Sequence, residues 1–453
     1  MESRTENKGI WNWIDRIQGD KVIWMILILL ILYSTVTIFS STSQLSTAEV
    51  SRLDIFMEQI ITVGIGFAII FFCYFVLRIG WIRVLSQFGF IISATMLTML
   101  VLEIGTVKIN DAVRIIKVGG LQLNVYEFVK IFMIAYLAWA IHAYKTDSFW
   151  IVNRLSRFKK LSFLARSGWK RLIYIYFPIV FVTLCIMKGG FSSAMFIGVI
   201  MVATILIGGV PLKDIIILVT AGIIAIGGSY MLYKVSGDRI MSGRWNTVES
   251  RLSRLFSPQD AAELEPGTIE WQQHVDEIRQ PEGAKIAIKE GGLFGKGPGK
   301  STQKYSVALI FSDYMFSFIV EEYGIVFGAI PLIILYLSLL ARGSILVTYC
   351  DNEYAKTVIA GLTLVISTQA MMHIFINVGL GPLTGQTLPM ISHGNSSFIA
   401  FSIAFGILLS ISKMTKKKVD QATLEAEPLI VQSDDDIKDG LDDLDRFDSR
   451  EEQ

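Results

Sequence analysis

The chain has 453 residues, 52% of them hydrophobic and 18% charged, with a mean hydropathy of +0.53 and a formal net charge of +1. Soluble domains carry about 25% charged residues, and apolar runs long enough to cross a bilayer recur here along most of the length, which excludes a soluble multidomain protein and indicates a polytopic membrane protein. The near-zero charge gives no basis for a nucleic-acid partner, because it sums a basic body and an acidic tail: after Lys418, thirteen Asp and Glu stand against Lys438, Arg446 and Arg450.

A short tail, residues 1–21, precedes the first apolar run and carries Arg4, Lys8, Arg16 and Lys21. The run's length and the lack of an A-x-A-like site predict an uncleaved helix rather than a signal peptide. The spacing then predicts an all-α membrane domain over 22–412, with spans near 22–40, 59–77, 86–104, 124–143, 172–187, 191–209, 213–233, 310–341, 357–379 and 396–412, about ten in all. Lys and Arg crowd alternate loops: Arg78 and Arg83, eight basic residues from Lys145 to Arg171, then Lys213, Arg342, Lys356 and Lys413 to Lys418. These loops and both termini are expected in the cytoplasm, facing sparser outer loops with Arg52, Lys108, Arg114, Lys117 and Lys188. One large loop, about 234–309, is then expected outside, with helix-like pieces at Arg251–Phe256 and Ile269–Ile278; residues 413–453 form a basic, then acidic tail expected to be disordered. No internal repeat argues for an inverted-repeat transporter. Cys73, Cys185 and Cys350 suggest no disulfide framework, and the four histidines lack metal-ligand spacing.

Ionisable groups at membrane depth default to a functional hypothesis. Glu127 and Lys130, three apart in the fourth span, share a helix face and can pair, either as a structural ion pair or as part of a site. Asp313 opens the eighth span; Glu321 and Glu322, a little over two turns deeper, read more readily as structural. Arg114 and Lys117 precede the fourth span on the outer side, where an Arg fork can hold a pyrophosphate or merely anchor the interface. The run Gly291-Gly-Leu-Phe-Gly-Lys-Gly-Pro-Gly299 is no nucleotide site: Phe294 occupies the first Gly position of a Walker A, and Lys300 the last Gly of G-x-G-x-x-G.

Ala284 to Lys304 with its Gly-Lys-Gly-Pro-Gly-Lys-Ser-Thr-Gln-Lys end, Ser312-Asp313, and Glu321-Glu322-Tyr-Gly324 together resemble the signature of the SEDS family (shape, elongation, division, sporulation). Leu388-Pro-Met-Ile-Ser-His-Gly-Asn-Ser-Ser397, Asn110-Asp-Ala-Val-Arg114 and Glu127-x-x-Lys130 resemble further family elements. The likeness covers roughly residues 20–415 and is closer to the FtsW branch than to RodA. Three departures stand out: Ile115 replaces a Trp, Gly189-Gly-Phe-Ser-Ser193 lacks the Asp of P-D-x-G-T, and Val307 to Tyr314 departs from L-P-x-x-x-T/S-D-F. The resemblance implies a peptidoglycan glycosyltransferase that polymerises lipid II at the outer face of the bacterial inner membrane, at the division septum. Asp313 would be the general base, or would hold a divalent cation (Mg2+ or Mn2+), with no nucleotide; Arg114, Glu127, Lys130, Lys296, Ser396 and Ser397 would line the substrate site. A class B penicillin-binding transpeptidase and other division membrane proteins are the implied partners. A lipid II flippase and a catalytically degenerate scaffold are the alternatives.

Overall fold

The structure is a computed structural model. It describes residues 19–41, 52–109, 112–118, 121–158, 162–163, 165–236, 269–307, 310–381 and 385–415. The expected helix Arg251–Phe256, Asn110 and Asp111, the N-terminal tail before residue 19 and the acidic tail lie outside the described residues.

Every expected apolar segment falls on helix. The described helices are α1 (Lys21–Ser41), α2 (Arg52–Val76), the pair α3 (Ile79–Ser86) and α4 (Gly89–Val101), α5 (Val125–Lys145), the short α6 (Trp150–Leu155), α7 (Ser167–Met187), α8 (Phe191–Ile207), α9 (Leu212–Ser236), the polar α10 (Ile269–Gly291), α11 (Met315–Gly324), α12 (Ile330–Tyr349), α13 (Glu353–Asn377) and α14 (Asn395–Thr415). Among the described residues seven helices are long and apolar enough to cross a membrane, and α3 with α4, bent by 42°, makes up to eight; α8 is apolar but shorter. The molecule is an all-α polytopic membrane protein, its lipid-length helices leaving large apolar side chains such as Phe72, Phe75 and Ile217 on the outside.

α5, α13 and α14 form the buried centre, with α13 packed on both α5 and α12. One end of the bundle is tied by ion pairs among the basic loops: Lys145–Glu353 at 2.7 Å, Arg342–Asp20 at 2.6 Å, Lys170–Asp147 at 2.5 Å, and Arg171 with Asp214. At the opposite end, α4 leads into a small antiparallel meander, β1 (Thr106–Ile109), β2 (Ala112–Val118) and β3 (Leu121–Asn124), which packs on α4, α5 and α7.

The expected eighth span is two helices. Gly324 takes φ 76° and ψ −176°, which ends α11 and starts a π-turn, Ile325–Ala329, before α12. A break inside an apolar segment strands backbone groups. Here the Gly-rich run satisfies them. Lys296 and Gly297 N–H donate to the Glu321 and Glu322 carbonyls, both at 2.9 Å, and Ile325 and Val326 N–H donate to the Gly292 and Leu293 carbonyls, both at 3.0 Å. The two acidic side chains complete the joint: Glu321 accepts from Ser301 Oγ at 2.5 Å and from Thr302 N–H at 2.8 Å, and Glu322 from Ser40 Oγ at 2.7 Å and Gly299 N–H at 3.0 Å. The Gly-rich run is a splint for a helix break.

Candidate active site

Strand alternation on β2 turns Arg114 and buried Ile116 toward the bundle and leaves Lys117 exposed. The Arg114 guanidinium lies between two glycines on other elements. A Cβ added at Gly190 would stand 3.3 Å from Arg114 Nη2; one added at Gly385 would stand 3.1 Å from both Arg114 Nη1 and Asp313 Oδ2. Gly385, at φ +59°, is therefore the point on which the cation and the carboxylate converge, and any larger residue would fill it. Arg114 Nε is buried without a hydrogen-bond partner among the described residues.

Asp313 precedes α11 by one turn residue. Ser312 Oγ donates to its Oδ1 at 2.9 Å, and its carbonyl accepts from Asn377 Nδ2 at 3.1 Å. Burial pushes the Asp313 carboxyl above the usual carboxylate range, while Ser312 and the Arg114 charge pull it back. The turn behind it is held by Ser392, whose Oγ donates to the Ser312 carbonyl at 2.7 Å and accepts from Leu388 N–H at 2.9 Å. That turn carries Met390 at φ 63°, a left-handed conformation fixed on either side by Tyr336 Oη to the Pro389 carbonyl (2.6 Å) and Ser34 Oγ to the Ile391 carbonyl (3.1 Å).

Glu127 and Lys130 form an ion pair at 2.8 Å with both side chains buried. Asn124 caps their helix, and its own N–H donates to Ser396 Oγ at 3.1 Å. Lys130 Nζ donates also to Gln369 Oε1 at 2.5 Å and to Gln386 Oε1 at 3.3 Å, and Gln386 Nε2 donates to Ser193 Oγ at 3.3 Å. Gln386 follows Gly385, so the buried pair stands one residue behind the Arg114–Asp313 point. Ser397 shares a hydrogen bond with Thr387 Oγ1 at 2.7 Å.

Arg114, Glu127, Lys130, Asp313, Ser396 and Ser397 thus meet in one connected region, with Ser396 and Ser397 holding backbone and neighbouring side chain. Lys296 stands in another: its Nζ pairs with Glu321 at 2.9 Å and with Glu290. That pairing holds Glu290 below and Lys296 above their ordinary ranges. The start of α8, though without the Asp expected there, still reaches the site through its N-cap Gly190 and through Ser193 in its first turn. Gln369, His373, Asn377 and Gln386 were missed by sequence reasoning. The first three form a polar stripe at i, i+4, i+8 in an apolar span, which was their signal; Gln386, beyond the span, had none. Among the described residues no three His, Cys, Asp or Glu gather, so Asp313 is a single carboxylate beside a guanidinium. Such a donor set fits Mg2+ or Mn2+ only in company with substrate phosphate oxygens.

A family model described as "Cell cycle protein", for FtsW, RodA and SpoVE, matches residues 20–417. The chain belongs to the FtsW/RodA/SpoVE family. Among family members, a "Probable peptidoglycan glycosyltransferase FtsW" of Bacillus subtilis is 31% identical over 307 residues, 66% of this chain and 67% of its own length. A protein of the same name from Enterococcus hirae is 26% identical over 430 residues, 90% of this chain and 98% of its own. Two solved structures share the fold. A chain from a peptidoglycan synthase complex has a TM-score of 0.61 at 18% identity, and the Thermus thermophilus rod shape determining protein RodA has 0.55 at 19%; each comparison covers 88% of this chain and nearly all of the other.

Proposed function

We propose that this family member is a peptidoglycan glycosyltransferase that polymerises lipid II at the outer face of the bacterial inner membrane during septal wall synthesis. The observation that carries the reading is the convergence of Asp313 and Arg114 on Gly385, at the bundle end opposite the basic loops. An acceptor sugar hydroxyl gives its proton to the Asp313 carboxylate as its oxygen attacks the anomeric carbon of the donor; the bond from that carbon to the pyrophosphate breaks, and undecaprenyl pyrophosphate leaves. The Arg114 fork holds the departing pyrophosphate oxygens. Lys130 contributes its charge from behind Gln386, and Glu127 orients it. Lys296 is assigned to the splint instead. In the alternative role, Asp313 would instead hold a divalent cation, which would supply positive charge to the leaving group. The names of the relatives favour the division branch, and the likeness to a chain of a peptidoglycan synthase complex favours a class B transpeptidase as partner.

The test is incubation of the purified full chain with lipid II, with and without its transpeptidase, and separation of glycan products on a gel. Polymer is expected. Lipid II moved across vesicle membranes without polymer would instead establish the flippase, and neither activity would leave the scaffold.

A further inference from the structure

α11 begins without a cap of its own. Tyr314 occupies the N-cap position at φ −122° and ψ 26° and makes no side-chain capping bond, although the first N–H groups of a helix need acceptors. The acceptors come from α13. His373 Nε2 accepts from Phe316 N–H at 3.3 Å, and Asn377 Oδ1 accepts from Ser317 N–H at 3.0 Å and Ser317 Oγ at 2.8 Å. The Asn377 amide also donates to the Asp313 carbonyl at 3.1 Å and to the His373 carbonyl at 2.8 Å. His373 and Asn377 are one turn apart, both buried, and cap from a neighbouring helix the helix that follows Asp313.

The same face of α13 grips the other half of the site. His373 Nδ1 lies 2.7 Å from the Gln386 carbonyl, one residue from Gly385, and Gln369, a turn before, holds Lys130 and donates to the Thr387 carbonyl at 3.0 Å. Because a carbonyl faces Nδ1 and an N–H faces Nε2, the ring is neutral with its proton on Nδ1. A protonated ring, or the other tautomer, would break the cap on α11.

We infer that His373 is a positioning residue of the reaction: with Gln369 and Asn377 it makes one face of α13 the spine that fixes the Asp313 turn against the Gly385–Gln386 segment. The inference rests on the glycosyltransferase reading only for its kinetic consequence. Errors of about 1 Å in placing reacting groups cost about a hundredfold in rate, so the spine acts on kcat and not on substrate affinity.

Two side chains separate capping from packing. His373→Gln can place an amide oxygen where Nε2 accepts from Phe316, whereas His373→Asn can reproduce only the Nδ1 donor to Gln386. At matched folded protein, judged by melting in detergent, His373→Gln is expected within about threefold of wild-type kcat, and His373→Asn and His373→Phe about 10- to 100-fold lower with KM little changed. An Asn variant as active as the Gln variant, or a Phe variant at the wild-type rate, would overturn the inference. An independent reading needs no turnover: 15N spectra of histidine-labelled protein, with His373 assigned by its loss in His373→Gln, should show a proton on Nδ1 and none on Nε2. The opposite tautomer would overturn it. A wild-type protein that makes no polymer but shows the Nδ1–H ring would reject the glycosyltransferase reading and leave the spine standing.

Discussion

The residues that govern the site were legible as charges in the wrong solvent. Arg114, Glu127, Lys130 and Asp313 stand out because an ionisable group in or beside an apolar run needs a reason. Neutral partners give no such contrast in charge: only the packed fold brings Gln369 and Gln386 within hydrogen-bond reach of Lys130, and His373 within reach of Gln386 and the start of α11. Lys296 shows the converse: a cation in a Gly-rich run suggests an anion, and the structure pairs it with two carboxylates, Glu290 nearby and Glu321 25 positions away. Asp313 must be ionised to take a proton, and burial raises its carboxyl, so the acid limb of the kcat/KM profile should lie above the ordinary aspartate value of about 3.9. Arg114→Gln removes a charge that lowers it and should move that limb to higher pH; an unmoved limb, or one shifted down, would separate Arg114 from Asp313. Lys130→Met strands the Glu127 carboxylate and should cost about 3–5 kcal/mol. Adding Glu127→Gln should restore the melting temperature but not polymerisation. Near-normal polymer from the double variant would make the pair a structural device only.

Elements were legible where length and hydropathy agree, as in α1, α5 and α13. Periodicity does not register breaks, so the α11–α12 break read as one continuous span, while the short α3 and the strands β1 to β3 read as loop. The break at Gly324 depends on atoms that only glycine leaves free. A Cβ at Gly295, φ +78°, would sit 2.3 Å from the Glu322 carbonyl oxygen, whereas one at Gly299, φ +80°, would meet nothing within 4 Å. Both alanine variants carry left-handed strain of about 1–2 kcal/mol, but Gly295→Ala adds a clash worth a further 1–3 kcal/mol, roughly. The thermal-inactivation midpoint in detergent should therefore fall in the order wild type, Gly299→Ala, Gly295→Ala. Equal midpoints for the two variants would mean that the run does not splint the break.

For the whole molecule, the distribution of Lys and Arg predicts the ion-paired bundle end in the cytoplasm and the meander, splint and Asp313 outside. A cysteine placed near Gln273 should react with an impermeant thiol reagent from outside, and one near Ser162 should not; the reverse would invert every loop. Outward placement matters because a lipid-linked sugar and its pyrophosphate must reach Asp313 and Arg114 together. In the proposed reaction this fold transfers glycosyl groups and Asp313 takes the proton. Asp313→Asn keeps size and hydrogen bonding while removing the base, and loss of a general base costs about 10²–10⁴ in rate. The decisive measurement is lipid II polymerisation by the purified chain with its transpeptidase, wild type beside Asp313→Asn at equal folded protein. Glycan from the wild type and none from the variant is the result expected; polymer from Asp313→Asn at close to the wild-type rate would contradict it.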